Sequence, residues 1–90
     1  MTASPAHVTL VANTVTTVTL DQNFSSVEVL NVDGAAAIYF TVDGTTPTVE
    51  GNGTNVLPAA IGGLTLYAGN GTDTVKLISA GTPKASVRGI

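Results

Sequence analysis

The chain has no cysteine and no tryptophan, a single histidine, and charged side chains at only 10% of its ninety positions. Each scarcity removes a class of function. Without cysteine there is no disulfide, no thiolate nucleophile and no sulfur-ligated metal site. With one histidine, a tetrahedral zinc site or a catalytic triad lacks its usual set of partners, so His7 is read as a surface or edge-strand residue. Three basic residues, two Phe and two Tyr do not make the basic, aromatic-lined groove that nucleic acid requires. No stretch approaches the roughly 20 apolar residues of a membrane-spanning helix. The opening "MTASPAHVTLV" has neither the basic start nor the long apolar run of a secretory signal, which points to synthesis in the cytoplasm. Neither nucleic acid nor membrane is expected as a partner.

What the chain does have is 43% hydrophobic residues, dominated by valine, with abundant threonine. β-Branched side chains lose rotamer freedom in a helix and fit a pleated surface, so the composition predicts an all-β fold. A disordered chain would show the opposite balance of charge and hydrophobicity. Ninety residues make one small domain with a thin core, burying only about 60–65% of its unfolded surface. Small domains without covalent staples commonly gain stability by docking onto copies of themselves or onto a larger body. The net charge of −3 is slight, but its layout is uneven: all six acids lie between Asp21 and Asp73, whereas Lys76, Lys84 and Arg88 fall in the last fifteen residues. A mildly basic C-terminal segment suits an acidic partner surface.

Turn residues divide the chain into about eight short strands. Residues 1–6 read as a flexible N-terminal arm and 7–90 as a single domain. His7–Ala12 and Val15–Leu20 flank Asn13-Thr14, a hairpin candidate. "DQNFSS" reads as a turn before a strand over Ser26–Val32, which Asp33-Gly34 closes. Ala36–Val42 follows, with Ile38, Phe40 and Val42 assigned to the core face by their period of two. Asn55–Leu57, Gly63–Tyr67, Asp73–Ser79 and Lys84–Gly89 complete the set, with "AGNGTD" as a further turn. Short strands at 8–12-residue spacing predict a small antiparallel β-sandwich of immunoglobulin-like type, with a small barrel or jelly roll as the alternative.

Chemistry is hard to find. Asp33, Asp43 and Asp73 sit in or beside glycine turns, where the carboxylate serves the backbone. Glu28 in a strand and Glu50 in a loop fit solvated faces better than a glycosidase pair. The loops Glu50–Asn55 and Asn70–Asp73 each offer one acid, which is thin for calcium. The glycine-rich bends lack the GK[ST] of a phosphate loop, and the three Asn-x-Ser/Thr triplets follow no secretion signal. Tyr39 and Tyr67 would stack on sugar only if they shared an exposed face. No catalytic residue, metal or cofactor is expected, and the chain is not read as an enzyme.

Tyr39-Phe40-Thr41-Val42-Asp43-Gly44-Thr45-Thr46-Pro47-Thr48 resembles the "YYT-x-DG-[ST]-x-PT" strand and turn of the chitobiase C-terminal type of immunoglobulin-like module. This implies an edge hairpin in a sandwich; such modules are mostly accessory parts of larger carbohydrate-active and surface proteins. Over a longer span, "TASPAHVTL", "VEVLNVDGAAAIYFTVDGTTPT", "VLPAAIGG" and "VKLISAGTPKASVRGI" resemble the small virion proteins of tailed bacteriophages. The resemblance implies a capsid decoration, or cement, protein: made in the host cytoplasm, seated on the outer capsid surface, bound to the major capsid protein and homo-oligomeric, with a trimer as one form. The expected contacts are Thr2, Ser4, Pro5 and His7 near the start, and Lys84, Arg88 and Ile90 at the end. The alternative is a tail or surface adhesion module that contacts host carbohydrate.

Overall fold

The structure, a computed structural model, describes residues 6–90 apart from the side chain of Asn70. Thr2, Ser4 and Pro5 of the expected arm lie outside the described residues. Ala6, expected at the end of that arm, is instead the buried first residue of a strand. The described residues form six strands and no helix: β1 (Ala6–Thr9), β2 (Thr16–Asn31), β3 (Ile38–Thr41), β4 (Asn55–Leu57), β5 (Gly62–Ile78) and β6 (Lys84–Gly89). All pairings are antiparallel, in the order β1-β6-β2-β5-β3-β4. The ladder is open at both ends, so it is not a closed barrel.

Two strands are long because each serves two layers. The first halves of β2 and β5 do not pair with one another; the C-terminal half of β2 pairs with the N-terminal half of β5, from Ser26↔Tyr67 to Asn31↔Gly62. The other halves pair from Thr16↔Leu77 to Thr19↔Thr74, and only Phe24↔Thr72 bridges the shifts in register between these two ladders. β6 and β1 extend the first ladder, whereas β3 and β4 extend the second. The bent β2–β5 ribbon therefore closes an all-β sandwich. Its first layer is β1-β6-β2-β5 and its second is β2-β5-β3-β4.

The inward face confirms the bend. In β2 the buried residues are even-numbered before the corner (Val18, Leu20) and odd-numbered after it (Val27, Val29, Asn31). In β5, half-buried Leu64 and Leu66 give way to buried Val75 and Leu77. Side chains alternate strictly along a regular strand, so a swap of parity requires an irregular residue between the two halves. Gly69 and Gly71 supply it in β5, at φ values of +65° and +100° that a Cβ would strain.

Two expected turns are thus corrected. "DQNFSS" and "AGNGTD" do not end strands; they are the irregular corner of two continuous ones. The expected hairpin at Asn13-Thr14 is also corrected. A turn is present, with Asn13 at φ +57° and the Thr14 N–H donating to the Val11 carbonyl at 3.1 Å, but β1 pairs with β6 rather than β2. Counted by halves, the eight expected segments are all present.

The core joins both layers: Val27, Val29, Ala85 and Val87 from the first meet Val18, Leu77, Ile38 and Phe40 from the second. Asn31 is fully buried among them, and it is satisfied. Its amide donates to the Ala36 and Pro58 carbonyls at 2.9 and 3.0 Å, and its carbonyl accepts from the Gly34 N–H at 3.0 Å. One side chain thereby ties the loops on both sides of the β3–β4 hairpin to the end of β2.

Candidate interaction face

Strand β6 alternates in direction, although Ser86 on its outer side is covered to 8% exposure. Ala85 and Val87 enter the core, so Lys84, Ser86 and Arg88 point to the outer face of the first layer. Pairing then decides their neighbours. Thr9 lies opposite Lys84; His7 and Leu30 flank Ser86; Glu28 lies opposite Arg88. The Arg88 guanidinium meets the Glu28 carboxylate at 2.7 Å, and the Thr65 hydroxyl reaches the other Glu28 oxygen at 3.5 Å. The result is a polar row across β6, β2 and β5. Arg88 remains 55% exposed, so solvent screens this pair and leaves the guanidinium able to bind elsewhere.

Two shallow recesses flank the row. One, of about 200 Å³, is lined by His7, Val8, Thr9, Val32, Lys84 and Ala85. The other, of about 350 Å³, lies among Glu28, Leu30, Ser86 and Arg88. At the rim, the Asp33 carboxylate accepts the Ala35 and Lys84 N–H groups, both at 3.2 Å. The Ala35 N–H holds its carboxyl below the usual range; slight desolvation opposes this, while the Lys84 N–H and ammonium add to the lowering.

The first and last strands meet here. Ala6 lies opposite Val87, so the start of β1 sits beside the end of β6. Ile90 continues the ladder one step, its N–H donating to the Ser26 carbonyl at 2.8 Å while its side chain stays exposed. Of the residues expected from sequence, His7, Lys84 and Arg88 share one face and Ile90 closes its end; Thr2, Ser4 and Pro5 lie outside the described residues. Sequence reasoning missed Glu28, Leu30 and Ser86 as members of this face. The period of two in Lys84-Ser86-Arg88 could have revealed Ser86, but Glu28 and Leu30 join only through a pairing of distant strands.

The second layer presents a different exterior. A long loop between β3 and β4 folds back on it, anchored by the turn at Asp43-Gly44. The Thr45 N–H and hydroxyl both donate to Asp43 Oδ1, at 3.1 and 2.6 Å, and Gly44 takes φ +87°. The hydroxyl bond foremost, then the N–H, holds the Asp43 carboxyl below its usual range. The Thr41 hydroxyl donates to the Thr45 carbonyl at 2.6 Å, and Lys76 Nζ donates to the Gly44 carbonyl at 3.1 Å. Tyr39 lies on this exterior, beside Val56 and Glu50, whereas Tyr67 stands on the first layer. The two tyrosines do not share a face. Among the described residues, no three His, Cys, Asp or Glu side chains are grouped to hold a metal ion.

No family model, no curated protein and no solved structure matches this chain.

Proposed function

We propose that the chain is a structural virion protein that decorates a phage capsid by binding the lattice of its major capsid protein, with the outer face of the first layer as the docking surface. The observation that carries the reading is the convergence of His7, Lys84, Arg88 and Ile90, from the two ends of the sequence, on one exposed sheet face. A decoration protein needs a complementary patch rather than a reaction centre. Many copies on a fixed lattice bind with high effective concentration even when each contact is weak. Two cationic side chains, only one of them facing an acid across the sheet, suit an acidic shell surface.

The experiment is the copy number of the chain in purified particles, by quantitative mass spectrometry against the most abundant shell protein. A large, simple ratio supports the reading. A handful of copies per particle contradicts it and favours the adhesion module. Arg88→Glu should retain the fold while releasing the protein from particles. Removal of the arm should stop before Ala6, because that residue is only 3% exposed and belongs to the core; weaker attachment of this truncated form is expected.

A further inference from the structure

Two long strands leave part of their length at an open edge, the N-terminal halves of β5 and of β2. Among the described residues, the N-terminal half of β5 pairs with β2 on one side and with no strand on the other, because β3 joins β5 only at Lys76, Leu77 and Ile78. Such an edge exposes backbone donors and acceptors to any extended chain, and proteins usually guard it with charge, proline or shortness. The other edges are shorter or guarded: β4 is three residues long and is followed by Pro58, β1 is four residues long, and the open part of β2 pairs with β5 over only Thr16–Thr19 before the chain reaches Asp21. The sequence Gly62-Gly63-Leu64-Thr65-Leu66-Tyr67-Ala68-Gly69 has no charge and no proline. Ile61, just before it, and Tyr67, near its end, are the two most exposed large hydrophobic residues among those described, at 76% and 75%. Leu64 and Leu66 are only partly covered at the rim of the core.

We propose that this edge pairs with the same edge of a second copy, antiparallel, about a two-fold axis at Thr65. The strand is self-complementary in that register. Leu64 meets Leu66 of the second copy and closes the rim of both cores. On the outer face, Thr65 meets Thr65 of the second copy, and Tyr67 meets Gly63. Gly63 has no side chain, and Leu30 crowds the place where one would stand: its Cδ1 and the Val29 carbonyl oxygen both lie 3.3 Å from an added Cβ. The tyrosine ring of the second copy lies across the bare Gly63 backbone and packs on Leu30, as aromatic residues do over glycine in paired strands. Shifting the register by two residues loses this match, placing Tyr67 against Ile61 or against Thr65. A closed two-fold contact also consumes the edge, so it does not propagate into fibres. The two first layers become one continuous sheet of eight strands. The pairing uses the β5 edge alone and stands independently of capsid binding.

The absence of cysteine makes the test clean. Residues directly opposite in an antiparallel pair have Cα atoms about 4.5–5.5 Å apart, within disulfide range. The wild-type protein should sediment at twice its chain mass. Thr65→Cys should cross-link to a dimer under mild oxidation, whereas Thr17→Cys, on the exposed edge of the second layer, should not. The double variant Thr65→Lys, Tyr67→Lys places like charges in the seam at two exposed positions; it should be monomeric, with unchanged circular dichroism and a thermal midpoint that no longer rises with protein concentration. A wild-type monomer at all concentrations up to about 1 mM overturns the proposal. So does an oligomer that survives the double lysine variant, or Thr65→Cys cross-linking no faster than Thr17→Cys.

Discussion

The two layers share a core but treat their exteriors oppositely. The second layer is covered by its own chain. Thr41, on its outward side, is 2% exposed because the Asp43–Thr45 turn lies over it, and Pro47 in the same loop is fully buried. Lys76, the cation of this layer, is tied to the Gly44 carbonyl. Among the described residues, the first layer has no such cover. Tyr67 stands exposed, Arg88 reaches Glu28 while half exposed, and the recesses beside Lys84 and Leu30 are open. The difference teaches where to look for a partner in this domain. A layer whose polar groups are satisfied by its own loop is finished, whereas one that leaves a mixed polar and apolar face bare is suited to docking.

Variants can break or sharpen this contrast. The largest effect is expected in the shared core. Phe40→Ala removes a fully buried ring and should cost about 3–5 kcal/mol in denaturant unfolding. It should destabilise both layers together, since one core holds them; separate unfolding of the two layers would show that the bent ribbon does not couple them. Next comes the loop cover. Thr41→Val keeps shape but loses the hydroxyl that binds the Thr45 carbonyl, and should cost about 1 kcal/mol. Faster amide exchange should then appear over the Asp43–Thr54 loop, with the first layer unchanged.

Smaller still is the exposed face. Arg88→Ala should change stability by about 0.2–1 kcal/mol, because its ion pair is solvent-screened. A larger loss would mean that the face is structural rather than a docking surface. The smallest effect is expected from acid. The Asp43 carboxyl is held below its ordinary value of 3.8, chiefly by the Thr45 hydroxyl. A depressed folded value stabilises the turn above the unfolded pKa, and this contribution is lost as pH falls through the lower folded value. NMR titration of the Thr45 amide should give a midpoint below 3.8; a midpoint at or above it would mean that the turn does not hold the carboxylate.

The fold was legible in the sequence wherever the information is local. The period of two assigned Ile38 and Phe40 to the core correctly and Val42 to its partly buried rim, and the strands Asn55–Leu57 and Lys84–Gly89 have their expected bounds. The errors lie at Asn13-Thr14, "DQNFSS" and "AGNGTD". Asparagine, aspartate and glycine leave the regular pleat both at hairpin turns and at bulged corners, because both need unusual φ values. Whether the chain then reverses or continues depends on the partner strand, which is distant in sequence. The candidate face is partly local and partly not. Lys84 and Arg88 share a side of β6 by alternation, but His7 joins them only because the first strand pairs with the last. Glu28 reaches Arg88 by the same kind of distant pairing, between β2 and β6.

The central claim is that the first layer docks and the second does not. Hydrogen exchange of the chain, free and bound to purified capsids, tests it most directly. The account predicts added protection in β1, β6 and the Ser26–Val32 part of β2, with exchange in the Asp43–Thr54 loop unchanged. Protection concentrated in that loop, or no added protection in either layer, would contradict it.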